Sequence, residues 1–451
     1  MNNLDPSWAW STYRPEKDGW NRRIAAHLFR RAGFAASSER LDQAIAQQPD
    51  QVVHELVHVR SDSEEFRDEL SALGNSILAT ANVKNLPAWW AYRFLTTNDP
   101  LLEKTTLFWH GHFATSGDKV TEASLMYKQN NILREHGLGS FHAMVHEISQ
   151  DPAMLIYLDS ITNRKAHPNE NFARELMELF CLGEGQYTEE DIRELARCFT
   201  GWEIRNDRFR FNRYQHDTGE KSFLGKTGKF SGEEGVDIVL SEPSMGYFIV
   251  GKLVNFFVFD EPVPSRELIQ PLAEQLHSNG GQIAPIIETI LASNLFFSEH
   301  AIGRKLRSPV DFSVGFLRAL NGSTDLYSLT NGLSELGQTP FFPPNVKGWD
   351  GGRTWINSST LLARANLIRA LLDRKETRFN QGSLEAMLDE YQLSSSEQIV
   401  DWWEELLLAT TLPESVKTQL QEQIENGPGN QEQRLRDALH LFCTLPEFQL
   451  A

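Results

Sequence analysis

Pro168-Asn169-Glu170-Asn171-Phe172-Ala173-Arg174-Glu175-Leu176-Met177-Glu178-Leu179 carries apolar and polar side chains at helical spacing. On a helix of about 3.6 residues per turn, Phe172, Leu176, Met177 and Leu179 cover one side. Asn171, Arg174, Glu175 and Glu178 share another face, and Glu170 stands near the start. An apolar stripe of this kind belongs to a helix packed on a core. The polar face brings three carboxylates and one guanidinium together.

The same period runs outward in both directions. Ile24, Leu28 and Phe29 recur at helical spacing before Gly33, and two short helices flank Pro49. Residues 63–80, 89–97, 101–110, 123–135 and 141–149 follow, with Gly111 placed as a C-terminal stop. Thr188-Glu189-Glu190-Asp191 has the form of a capping box, and it opens a helix to about Thr200. Between 203 and 232 the period changes. Phe209 and Phe211 alternate with Arg208 and Arg210, as in a short hairpin, before a glycine-rich loop. Helical spacing resumes at 236–240 and continues through 247–257, 268–278, 283–291, 311–320 and 359–372. Pro340–Gly352 is too rich in Pro and Gly to be helical.

The expected architecture is mainly α, a multi-helical globular protein with a small β hairpin and loop insertion. Residues 1–19 read as an N-terminal extension and 20–378 as the main helical domain. Residues 379–451 read as an acidic helical layer packed on that domain. This last segment has 13 acidic residues against 3 basic ones, more than half of the net charge of −18. Its apolar stripes make it a solvated layer rather than a tail.

The negative balance, 61 acidic against 43 basic residues, argues against nucleic acid and against anionic lipid as partners. Cys181, Cys198 and Cys443 are too few and too scattered for a disulfide framework, so they read as buried thiols. No run approaches roughly 18 uncharged apolar residues, so no membrane span is expected. The start has no basic segment followed by an apolar run, and with the initial Met it points to the cytoplasm.

Four groups could carry chemistry. Phe108-Trp109-His110-Gly111-His112-Phe113 places two imidazoles around a helix end at Gly111, from which both could face one cavity. The structural alternative has one imidazole capping the helix and the other packing on Trp109. The carboxylates Glu170, Glu175 and Glu178 with Arg174 suit acid–base work or a divalent metal. Pairing of Arg174 with Glu170 and Glu178 along the helix is the plain alternative. His216-Asp217 with Lys221 opens the glycine-rich loop. Asn345–Asp350, with Lys347, Trp349 and Asp350, together with Arg353, Trp355 and Asn357, suits contacts to a sugar or another polar ligand, or Trp349 and Trp355 plug the core; Asn171 on the acidic helix is a further binding candidate. His142 and His146 have metal-compatible spacing without the His-Glu-x-x-His pattern, and read as surface. There is no Walker loop, nucleophile elbow or CxxC pair, which disfavours the enzyme classes built on them.

His27–Phe34, Phe108–Ser116, Asp151–Asp159, Asn169–Trp202, Asn345–Arg364 and Pro446–Leu450 resemble, in consistent order, a bacterial family called domain of unknown function 1800. The resemblance implies one nearly complete family unit with a mainly helical fold. It also implies relatives that are often exported and encoded beside a sulfatase-like protein, a candidate partner. Phe180 stands where many relatives are expected to carry His.

The working expectation is an enzyme, hydrolase or lyase in type, acting on a polar substrate such as a saccharide or peptide. His110 and His112 would meet Glu170, Arg174, Glu175 and Glu178 around one cavity, with or without a divalent metal. The loops carrying His216, Asp217 and Lys221, and Lys347, Trp349 and Asp350, would form its roof. The alternative is a non-catalytic scaffold or partner protein in which the same residues form a buried network.

Overall fold

Helix Pro100–His112 carries the architecture. Pro100 sits in its first turn, where a missing N–H leaves no hydrogen bond unmade. All its residues except Leu102 and Gly111 are buried. A helix enclosed on every side must find a partner for each polar group it carries. Glu103 accepts from Trp90 Nε1 at 2.9 Å, from Arg134 Nε at 2.7 Å and from Arg93. Lys104 is ion-paired with Asp311, and Trp109 Nε1 donates to the Gly137 carbonyl at 2.9 Å.

In this computed structural model, which describes residues 4–16 and 19–451, helices Arg22–Gly33, Pro49–His58, Leu86–Thr96 and Ala123–Glu135 pack on that central helix. Residues 1–3, 17 and 18 of the expected extension lie outside the described residues. Within the rest of it, Pro6–Ala9 is a short helix, and Trp10 Nε1 donates to the Leu268 carbonyl at 2.6 Å. One apolar core extends from Ala25 through Phe257 to Phe448. A smaller one gathers Trp89, Trp90, Phe94 and Phe341. The acidic C-terminal helices Ser396–Leu407, Glu414–Asn426 and Gln431–Thr444 contribute Trp403, Leu420 and Phe442 to the larger core.

The protein is mainly helical, and its sheets are pairs of short antiparallel strands. Trp202–Arg205 pairs with Arg208–Phe211 through Asn206 and Asp207, both left-handed at φ 52° and 57°. Two such residues form the turn whose twist matches a hairpin. Lys221–Phe223 pairs with Lys226–Gly228, and Gly322–Ser323 with Arg378–Phe379. The Thr188 capping box is present, with Asp191 as its return partner. Cys181, Cys198 and Cys443 are free and buried. Among the described residues no helix is long and apolar enough to cross a membrane.

Three local features differ from the sequence reading. Helices Pro152–Tyr157, Leu326–Glu335 and Leu384–Glu390 are additional. The helix begun at Asn171 widens to a π turn over Leu176–Cys181. Gly111 does not stop its helix, which continues to His112 and closes when Phe113 donates its N–H to the Trp109 carbonyl.

Burial would raise the Glu103 pKa, but Arg134 and Arg93 outweigh it and hold the carboxyl at about 2. A depressed carboxylate stabilises the fold above its ordinary value of 4.5, and that contribution is lost as pH falls toward 2. E103Q strands both arginines, so its unfolding free energy at neutral pH should drop by about 3–5 kcal/mol. Urea titration followed by tryptophan fluorescence measures this. The deficit relative to wild type should shrink through the same acid window, and an equal deficit at all pH values would exclude the ion pair as its source.

Candidate functional site

Residues two apart on a helix point about 200° from each other, so continuing the helix to His112 separates the two imidazoles. His110 turns toward Trp90 and the loop at 341, where its Nε2 accepts from the Phe341 N–H at 2.9 Å. Burial pushes its pKa down to about 3, so it stays neutral. His112 faces the opposite side. Its Nε2 donates to the Phe180 carbonyl at 2.9 Å, because a carbonyl can only accept. That leaves Nδ1 as the acceptor for Lys252 Nζ at 3.1 Å. Burial, reinforced by the nearby Lys252 charge, lowers the His112 pKa well below the usual range.

Lys252 comes from helix Pro243–Phe257. Its ammonium also donates to the Leu179 carbonyl at 3.1 Å and lies 4.5 Å from the centre of the Phe248 ring. The two carbonyls that hold this pair, Leu179 and Phe180, belong to the π turn. Such widened turns recur at functional sites. Burial brings the Lys252 pKa down to about 8.

His112, Lys252 and Lys347 line two adjoining chambers. The first, about 620 Å³, is completed by residues including Glu178, Tyr247, Phe248 and Arg266. The second, about 550 Å³, includes Asn255, Asp260, Lys305, Trp349, Asp350 and Trp355. Asn255 Oδ1 is buried there without a hydrogen-bond donor. Lys305 pairs with Asp260, and Lys104 with Asp311, on the same side.

The expected residues therefore meet only in part. His112, Glu178, Lys347, Trp349 and Asp350 border the chambers. Glu178 accepts from the Tyr187 hydroxyl at 2.9 Å. Glu175 is half-buried and lines neither chamber; burial with the Glu178 charge raises its pKa, against Arg174 and Lys347. His110 does not line either chamber, because the helix continues past Gly111 and turns it to Phe341. Arg174 makes two 2.8 Å bonds to Glu189 and one of 3.3 Å to Glu170, a surface ion cluster outside both chambers. Asn171 donates to the Leu158 carbonyl at 3.4 Å. The loop at 216–228 does not roof the chambers. His216 Nδ1 donates to the Thr200 carbonyl at 2.9 Å, and Asp217 binds Arg197 Nε at 2.8 Å. Lys221 is spent on the carbonyls of Asp217, Gly219 and Phe230. The hairpin thus closes its own polar network.

Lys252 went unread because it sits in an apolar helical run that looks like core. A second omission had a clear signal. His54-Glu55-Leu56-Val57-His58 carries the His-Glu-x-x-His spacing that sets two imidazoles on one helix face. Together with Glu288 these histidines form a cluster that could coordinate a divalent metal. It is the one group of three or more such ligands close enough among the described residues. The expected pairing of His110 and His112 with glutamates around a metal is not formed.

Fold and site together define a mainly helical protein with a lysine–histidine pair set between two chambers. The family described as "Protein of unknown function (DUF1800)" matches residues 27–450, and the chain belongs to it. No curated protein and no solved structure matches the chain.

Because folding lowers the Lys252 pKa to about 8 from 10.5, the unfolded chain holds the extra proton between those values. Stability contributed by this group therefore rises with pH across that window. NMR titration of the lysine side chains should show one with a midpoint near 8. K252M should lose that signal and flatten the rise; a Lys252 midpoint above 10 would contradict the assignment.

Proposed function

We propose that the two chambers form one active site, in which Lys252 transfers a proton on an anionic polar substrate of the acidic saccharide type. The observation that carries this reading is the Lys252 ammonium held by a carbonyl and a neutral imidazole, with no carboxylate to fix its charge. A base works best when its pKa lies near the working pH, and burial brings this amine to about 8.

The surroundings fit the substrate class. Lys347 supplies positive charge to both chambers and Arg266 to the first, whereas Arg353 on the second is paired with Glu261 at 2.7 Å. Trp349 and Trp355 offer flat apolar faces beside polar groups, a combination suited to sugar rings. The reaction this supports is elimination. Lys252 Nζ removes a proton from the carbon next to the substrate carboxylate. The C–H electron pair forms the double bond as the C–O bond to the leaving group breaks. The proton then passes from Nζ to the departing oxygen.

The non-catalytic alternative draws support from the closed networks at His110, Arg174 and Lys221. The two readings separate by experiment. Uronate-containing oligosaccharides should raise the melting temperature and give an unsaturated, ultraviolet-absorbing product, while neutral ones of equal size should do neither. The rate should climb as pH passes about 8. K252M should cut turnover at least about 100-fold, and K347A should weaken binding. Unchanged turnover in K252M would remove Lys252 from the chemistry. A complete lack of binding across the panel would favour the scaffold.

A further inference from the structure

Helix Pro49–His58 begins at Pro49 and buries Pro49, Val52, Val53 and Val57. That choice of buried face leaves His54 and His58 one turn apart on the outer flank. Helix Ala284–Leu291 buries Ile286, Ile287 and Ile290 beside it and presents Glu288 to the same flank. One carboxylate oxygen lies 2.8 Å from His54 Nδ1 and the other 2.9 Å from His58 Nε2, and the imidazole centres are 4.6 Å apart. The ligand atoms all fall within 4.8 Å of one another.

We infer that His54, His58 and Glu288 bind a borderline divalent cation of the zinc class. Two imidazole nitrogens and a carboxylate oxygen are the donor set that favours such an ion over magnesium or calcium, which prefer all-oxygen ligands. Short Zn–N and Zn–O bonds of about 2.0–2.2 Å require the cation to replace the two existing hydrogen bonds by drawing the three groups inward. All three are side-chain ends near the surface, so that contraction needs no movement of the packed helix faces.

The site has an open side. His54 and Glu288 line a cavity of about 840 Å³ with Gln47, Asp50, Gln51 and Glu55. Three protein ligands leave a fourth tetrahedral position to solvent, the pattern of reactive rather than purely structural zinc sites. Glu55 lines the cavity without joining the ligand group, and its carboxylate faces Gln47 and Arg40. No residue of this cavity borders either chamber around Lys252. The inference therefore stands independently of the elimination reading.

The test uses the full chain after chelator treatment, titrated with Zn²⁺ by calorimetry. One saturable equivalent is expected, with magnesium giving none. H58A and E288Q should each weaken binding by at least about 100-fold, since even outer-sphere partners of a metal are worth 10–100-fold. E55Q should leave affinity unchanged. Cobalt loading should add the strong visible bands of four-coordinate Co²⁺, lost in H58A. H54Q serves as a second ligand variant whose exposed position leaves folding intact, checked by circular dichroism. Absence of a saturable equivalent would overturn the inference, as would full Zn²⁺ affinity in H54Q and H58A.

Discussion

Helix Pro100–His112 is enclosed by protein on every side, with only Leu102 and Gly111 short of full burial. A helix buried all round gains apolar contact on every face, but each polar group on it must be matched inside the protein. The matches fix the neighbours. Glu103 draws Trp90, Arg93 and Arg134 from two other helices, Lys104 draws Asp311, and Trp109 reaches the Gly137 carbonyl. His110 and His112 then bind opposite sides, the first to the loop at Phe341 and the second to the π turn and Lys252. The helix therefore acts as a spindle that sets these segments in register.

The distinct chemistry of Lys252 follows from the same enclosure. Lys252 and Lys305 line the second chamber, and the buried Lys104 lies next to it through its pair with Asp311. Lys104 and Lys305 each have a carboxylate, Asp311 and Asp260, whose charge opposes the desolvation of the ammonium. Lys252 has only the Leu179 carbonyl and a neutral imidazole. Burial acts on it almost unopposed. An amine with a pKa near 8 needs no special residue here, only the omission of the acid that its neighbours possess.

Much of the architecture was legible in sequence because apolar spacing and caps are local. The Thr188 box, the break at Pro49 and the irregular stretch at Pro340–Gly352 all hold. The site was less legible because it turns on two-residue details. A helix ending at Gly111 and one ending at His112 differ little in stability, but they send His112 in different directions. The π turn at Leu176–Cys181 leaves no mark in the apolar period, and Lys252 is hidden in a run dominated by Val250, Leu253 and Val254. The pair at His54 and His58 is local and readable, because the His-Glu-x-x-His spacing lies within one helix.

The loop at 340–352 shows how a residue outside the chambers can still govern them. His110 anchors it through the Phe341 N–H, and the Phe341 carbonyl in turn accepts from the Gly117 N–H at 2.8 Å. Farther along, Gly348 at φ 79° lies so close to the Gly111 carbonyl that a Cβ there would sit 2.1 Å from the oxygen. Any side chain at 348 would push the loop off the helix, and a bulky one at 111 would meet Trp349. These contacts hold Lys347 and Trp349 over the last turn of the helix that carries His112. His110 thus touches the chamber wall only through the loop it anchors, while His112 is held by the Phe180 carbonyl and Lys252.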